Sequence, residues 1–269
     1  FSFIDAIEEP GSNNSVALVN NFNKTEFTKA AAKLFYGTYS STGQLLFEAN
    51  HQKREYTNNA QQFRDVNINK LSATFFYRIA PKTRVLFQAS SADFEYQNTT
   101  LLTDQSSTER FYLTGITWEL TAKTSGTFKI GYQDKNFDQN LYADIDGLSY
   151  SLDMTWKPST HTTFTIEANR QTKESARQST AGFINKSYGV LAEHEFTART
   201  KLKARIGLDD AEYTNRTDSR TNIMLSVSQS LLTWIDVSLD YKSMNRDSNE
   251  PLFDFDSQSF GLTFETRFE

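Results

Sequence analysis

Apolar and polar residues alternate one by one along most of this chain. Leu148, Tyr150, Leu152, Met154 and Trp156 are interleaved with Ser149, Ser151, Asp153 and Thr155. Ile235, Val237, Leu239 and Tyr241 alternate with Asp236, Ser238, Asp240 and Lys242, and Phe260, Leu262, Phe264 and Phe268 repeat the pattern at the C-terminus. A period of two is that of a β-strand with one greasy and one polar face. No stripe with a period of 3.6 residues competes with it. The pattern predicts an all-β chain with strands near 14–22, 28–39, 43–56, 66–79, 83–96, 108–121, 126–136, 146–157, 160–172, 183–197, 201–213, 220–231, 234–245 and 256–268. The even count of fourteen leaves both ends on the same side. Twelve and sixteen stay open, because the first segment is the weakest. Such strands exceed the usual mode of about 5–6 residues and suit a tilted crossing of a bilayer.

Average hydropathy hides this. The mean is −0.58 and 38% of residues are hydrophobic, yet 14% are aromatic, which is too many for a disordered chain. No apolar run reaches the roughly 18 residues of a membrane-spanning helix. Cysteine is absent, which excludes disulfides and thiolate chemistry, and a net charge of −5 argues against a nucleic-acid partner.

The connections alternate in length. Tight, Thr-bearing turns recur at Ser40–Gly43, Ala80–Thr83, Ala122–Ser125, Lys157–Thr160, Ala198–Lys201 and Leu232–Trp234. Their threonines, at 42, 83, 124, 160, 200 and 233, are spaced by 41, 41, 36, 40 and 33 residues. Longer polar segments lie between them: 57–65, 97–109, 137–144, 172–182, 212–221 and 245–254. A repeat of this length could hold a propeller blade, but a blade needs four short strands where this repeat holds two long ones. A soluble sandwich needs Greek-key connections, whereas every connection here reads as a hairpin. The predicted fold is a transmembrane, antiparallel, up-and-down β-barrel over 14–269. Tight turns would lie on the periplasmic side and longer loops outside. Residues 1–13 read as a periplasmic lead-in or the stub of a missing element. The absence of an initial Met is consistent with a bacterial outer-membrane protein whose signal peptide is removed or not included.

Outer-membrane lipids are then the first partner. Tyr77, Trp118, Trp156, Phe196 and Trp234, near the tight turns, together with Phe264 and Phe268, are expected to form an aromatic girdle on the lipid face. The alternate positions would line the lumen. The acidic candidates are Glu48, Glu119, Asp153, Glu167, Glu193, Asp236, Asp240 and Glu265, and the basic ones Lys70, Arg78, Arg84, Lys129, Lys203, Arg205, Lys242 and Arg267. Glu195, Asp209, Arg54 and Lys135 fall on the same face. The lumen is therefore nearly charge-balanced, which predicts weak ion selection and cross-strand pairing that partly fills it. Gly115, Gly131, Gly207 and Gly261 also point inward, leaving room or allowing bending. No outer loop is long enough to fold in as a substantial plug.

Catalytic, metal and cofactor sites are not predicted. His51 and His194 alternate with lipid-facing residues and His161 sits in a turn, so no histidine shares the lumen with a Ser or Asp partner. Asp209–Asp210 and Asp254 with Asp256 could touch Ca²⁺, but a solvated acidic loop is the simpler reading.

The stretches LTGITWELTAKTSGTFKIGYQDKNF (113–137) and LSYSLDMTWKPSTHTTFTIEANRQTKES (148–175) resemble the β-barrel porin type 2 family of outer-membrane proteins. The resemblance rests on Gly115, Trp118, Thr124, Gly131, Tyr132, Trp156, Pro158, Thr160, Asn169 and Arg170, with weaker echoes toward the C-terminus. It implies a barrel encoded beside exopolysaccharide or capsule synthesis genes and associated with surface-polysaccharide export, with polysaccharide or export-complex proteins as partners. It brings no catalytic residues. The last strand also resembles the C-terminal signal read by the barrel assembly machinery, except that Glu269 follows the aromatic Phe268. The leading expectation is a conduit or structural partner in polysaccharide export. The alternatives are a passive porin for small hydrophilic solutes and a scaffold barrel around a partner protein.

Overall fold

The computed structural model describes residues 1–8, 22–100, 102–121, 123–175 and 180–266. They form fourteen strands: β1 Ser2–Glu8, β2 Asn23–Tyr36, β3 Gly43–Tyr56, β4 Val66–Ala80, β5 Thr83–Tyr96, β6 Ser107–Thr121, β7 Thr124–Phe137, β8 Ile145–Trp156, β9 Thr162–Glu174, β10 Gly182–Thr197, β11 Thr200–Glu212, β12 Thr217–Leu232, β13 Ile235–Ser248 and β14 Phe255–Thr266. Two short 3₁₀ turns, Gln62–Arg64 and Pro251–Phe253, complete the regular structure. The strands form a single sheet in which each pairs antiparallel with its neighbours in sequence, the up-and-down order of a membrane barrel. Among the described residues β1 and β14 are the ends of the row and do not pair with each other.

The count of fourteen is the predicted one, but the first strand is not the predicted one. The segment at 14–22 lies almost wholly outside the described residues. Ser2–Glu8, within the stretch read as a lead-in or stub, pairs instead with Asn23–Lys29 of β2. Asp5 breaks the apolar run of that segment and hid its alternation. Several strands also run further into the longer connections than the pattern suggested. β9 reaches Glu174 and β12 starts at Thr217, leaving only 213–216 between β11 and β12. The residues there are polar on both faces, so hydropathy gives no sign of where pairing stops.

Register shifts are confined to the tight-turn end, between Arg78 and Ala80, Trp118 and Thr121, Glu195 and Thr197, and Ser230 and Leu232. Bulges there increase twist and help a sheet curl. Two glycines sit where a neighbouring strand's backbone comes close. An added Cβ on Gly131 would lie 2.0 Å from the Tyr112 carbonyl oxygen, and one on Gly115 would lie 2.1 Å from that of Phe128. Gly207 and Gly261 see nothing nearer than 3.8 Å. The inward glycines are therefore not equivalent: only the β6–β7 pair is needed for a close backbone approach.

A strand of about 14 residues, tilted by roughly 40°, rises some 35 Å, whereas the apolar band of such barrels is about 25 Å tall. The loop ends of the strands should therefore stand clear of the hydrocarbon. Accordingly, polar pairs occupy the convex face there: His51 with Asn69 at 2.8 Å, Thr108 with Asp93 at 3.1 Å and Asn245 with Asp256 at 2.7 Å. Replacing Gly131 by Ala is expected to lower the yield of folded barrel severely, while Gly207→Ala is tolerated. The check is heat-modifiable gel mobility after refolding into detergent, together with urea unfolding. Equal yields from the two variants would show that the β6–β7 approach is not required.

Candidate functional site

The two faces of the sheet separate by parity. Register carries Glu48 to Ser72, Arg78 to Arg84, Gly115 to Lys129, and Asp153 to Glu167, all on the concave side. Tyr77, Trp156, Phe196, Trp234 and Phe264 are between 42% and 64% exposed; Trp156 stacks on Phe164 at 5.3 Å, on the convex side near the tight turns. Trp118 is half-buried over Gly126. Phe268 and Arg267 lie outside the described residues.

Many of the concave charges are paired. Glu48 meets Lys33 at 2.8 Å, Lys203 meets Glu193 at 2.9 Å, and Arg205 meets Glu167 at 3.0 Å. Lys129 donates to Gln88 at 3.0 Å, and Lys70 lies 5.6 Å from the Phe111 ring centroid. Glu119 is exposed at the tight-turn rim. Asp240 stands opposite Gly261, Asp236 opposite Glu265 and Lys242 opposite Ser259, on the last two strands. The concave face also has an unexpected asymmetry. Strands β4–β6 put Phe76, Leu86, Phe94, Phe111 and Leu113 on it, whereas β8–β10 put mostly Ser, Thr, Asn and Glu there. Cations on the first half lie over aromatic rings, as Lys135 does 3.7 Å from the Phe94 centroid.

Burial is concentrated at the loop end. Gln133 and Asn185 are fully buried, and Val66, Lys135 and Tyr56 nearly so. At the centre the Arg54 guanidinium donates to the Glu174 carboxylate, and Tyr96 faces the same carboxylate. Arg54 is on β3 and Glu174 on β9, six strands further along. Six spacings of about 4.8 Å make roughly 29 Å of sheet between them. Direct contact therefore requires the sheet to curl back and the side chains to meet across the lumen.

The local cause lies at β8 and β9. They pair only from Tyr150–Arg170 to Trp156–Phe164, although β8 begins at Ile145. Gly147, with φ of +132°, marks the irregularity in β8. Freed from β8, the end of β9 swings inward. The Gln133 side chain replaces the missing strand partner, accepting from the Thr172 backbone N–H at 3.3 Å and donating to its hydroxyl at 3.0 Å. Alternation would put Thr172 and Glu174 on the lipid face, so sequence reasoning missed both. The glycine inside a predicted strand was the one available signal.

Apolar and stacked contacts close the rim above. Phe137, Tyr142 and Ala181 form a small cluster with Ile145 packed against it. The Arg216 guanidinium lies 4.1 Å from both the Tyr213 and Phe253 centroids and pairs with Asp218 at 3.0 Å. In the loop before β6, burial pushes the Asp104 carboxyl up, but hydrogen bonds from Ser106 and Gln139 outweigh it and hold it below the ordinary range. Their contribution is thus retained at neutral pH and lost as pH falls through the lowered value.

A curled, up-and-down antiparallel sheet with an aromatic lipid face and a charged concave face defines an outer-membrane β-barrel protein. The chain belongs to the family described as "Putative beta-barrel porin 2", whose model matches residues 3–268. No curated protein matches it. Among solved structures it is similar to the FrpB iron transporter from Neisseria meningitidis. For the F5-1 variant the TM-score is 0.59 at 11% identity, over 93% of this chain and 50% of that one. For the F3-3 variant it is 0.58 at 10% identity, over 92% and 49%. The chain thus spans about half the length of the FrpB structures. The outer membrane channel DcaP of Acinetobacter baumannii gives a TM-score of 0.50 at 11% identity, over 99% of this chain and 95% of that one. At these identities the likeness is one of fold.

Removing one partner of a buried ion pair strands the other, at a cost of about 3–5 kcal/mol. Arg54→Met or Glu174→Leu is accordingly expected to destabilise the barrel by an amount in that range, and the double replacement by less than either. Urea unfolding of the three variants checks this. Additive losses would show that the pair is not coupled.

Proposed function

We propose that this barrel is a gated outlet for hydrophilic, saccharide-like cargo, serving surface-polysaccharide export. The observation that carries the reading is the difference between the two ends of the concave face. At the tight turns, which face the periplasm in barrels of this class, it is exposed or half-exposed along β7–β14, with Gln44, Thr74 and Leu86 buried on β3–β5, whereas the loop end is filled by the layer around Arg54, Tyr96 and Glu174. A free diffusion pore has no use for side chains bonded across its exit. The Ser, Thr, Asn and Gln side chains of β8–β10 and β12 suit sugar hydroxyls, and the family resemblance supplies the link to polysaccharide. Export-complex proteins and the barrel assembly machinery are the protein partners in this reading.

The proposal includes no catalytic step. The His51 Nδ1 is engaged with Asn69 at 2.8 Å and the His194 Nδ1 with Thr162 at 2.9 Å, both ring systems lying outside the concave face. The competing reading is a passive porin, which the family description favours.

Planar-bilayer recording separates the two. The unmodified protein is expected to give low, intermittent conductance, and the Arg54→Ser, Glu174→Ser double variant a steady conductance several times larger. A large steady conductance from the unmodified protein would sink the gated reading. In the cell, deletion should reduce surface polysaccharide; unchanged polysaccharide would remove the export role.

A further inference from the structure

On the concave face beside the turn at 81–82, Arg78 and Arg84 are direct cross-strand partners. Like charges placed this way repel. Among the described residues neither has a carboxylate within salt-bridge distance. Glu48, the acidic side chain on the concave face of β3, is engaged by Lys33 and Ser72. Glu119, two residues beyond the Thr117 that faces Arg84, makes no side-chain bond to either arginine.

Arg84 is nonetheless firmly held. Its guanidinium lies 4.0 Å from the Tyr39 ring centroid and 4.6 Å from that of Phe76. Its Nη1 donates to Gln44 Oε1 at 2.9 Å, and the buried Gln44 is in turn fixed by donating to the Gly37 carbonyl at 3.0 Å. Its Nε is buried and has no acceptor. A guanidinium held on two rings, with a second arginine at the partner position of the adjacent strand, offers a fixed fork for a two-oxygen anion. Tyr39, half-exposed, offers a ring on which a sugar can stack.

We infer that Arg78 and Arg84 form a binding station for the carboxylate of an acidic saccharide at the tight-turn mouth of the lumen. The choice of a saccharide rests on the function proposed above; the choice of an anion rests on the arginine geometry alone. The station lies at the opposite end of the lumen from the closed layer, where cargo arriving from the periplasm would be met first.

The test is calorimetric binding to the detergent-folded barrel, with trigalacturonate, maltotriose and inorganic phosphate as probes. Trigalacturonate is expected to bind at least about tenfold more tightly than maltotriose, and Arg78→Gln or Arg84→Gln to remove about that factor. Arg84→Lys should restore only part of it, because an ammonium loses the fork. Equal binding of trigalacturonate and maltotriose, or arginine variants that bind like the parent, would overturn the assignment. Phosphate binding as tightly as trigalacturonate would also overturn it, in favour of a bare-anion site. Heat-modifiable mobility controls for folding, and Arg78→Gln, at a side chain that makes no hydrogen bond or ion pair among the described residues, carries the test if Arg84→Gln does not fold. Charge-selective binding in a protein whose deletion leaves surface polysaccharide intact would sink the export reading and leave this site standing. Charge-blind binding with polysaccharide lost would do the reverse.

Discussion

Backbone pairing in a medium without water is the constraint on which the rest of this structure depends. In hydrocarbon every N–H and C=O must find a partner within the protein, and a sheet satisfies this only by pairing each strand with the next. That requirement produces the uninterrupted row of antiparallel neighbours from β1 to β14. It also imposes the alternation of side chains, because a paired strand has only two faces and here they meet different solvents. The aromatic residues near the tight turns and the charges on the concave face are consequences of one backbone rule.

The same rule explains why the loop end is built differently. Strands taller than the apolar band leave the hydrocarbon before they end, so their last residues are no longer obliged to pair in register. β9 uses that freedom. Beyond Arg170 it leaves β8, accepts the Gln133 side chain as a substitute partner and brings Glu174 to Arg54. The lumen is narrowed by ordinary wall residues instead of a long inserted loop. A cross-lumen contact of this kind can form only where the membrane has stopped dictating the pairing.

Where the membrane dictates structure, the sequence is easy to read. The tight turns follow from composition, the alternation from Gln44 to Glu265 follows from parity, and fourteen strands were countable. Legibility fails where both faces are polar. β1 was hidden because Asp5 interrupts its apolar residues, and the ends of β9 and β12 because nothing in their hydropathy marks a boundary. Lys33, on the concave face of β2, was missed because Ala30, Ala31 and Ala32 blur the alternation around it. The aromatic content of the concave wall, at Phe76, Phe94 and Phe111, departs from the simple division into one greasy and one polar face. Those rings face inward because they cover cations, which alternation does not reveal.

By itself the sequence determined the class of fold, the strand directions and the alternation that separates the two faces of the sheet. Each of these is a local property, set by a period of two and by the composition of adjacent turns. Only the tertiary structure decided which residues meet across the lumen. The contact between Arg54 and Glu174 depends on how sharply the sheet curls and on where β8 releases β9. Curvature is the accumulated result of twist, bulges and glycine contacts over many strands, so no window of sequence contains it.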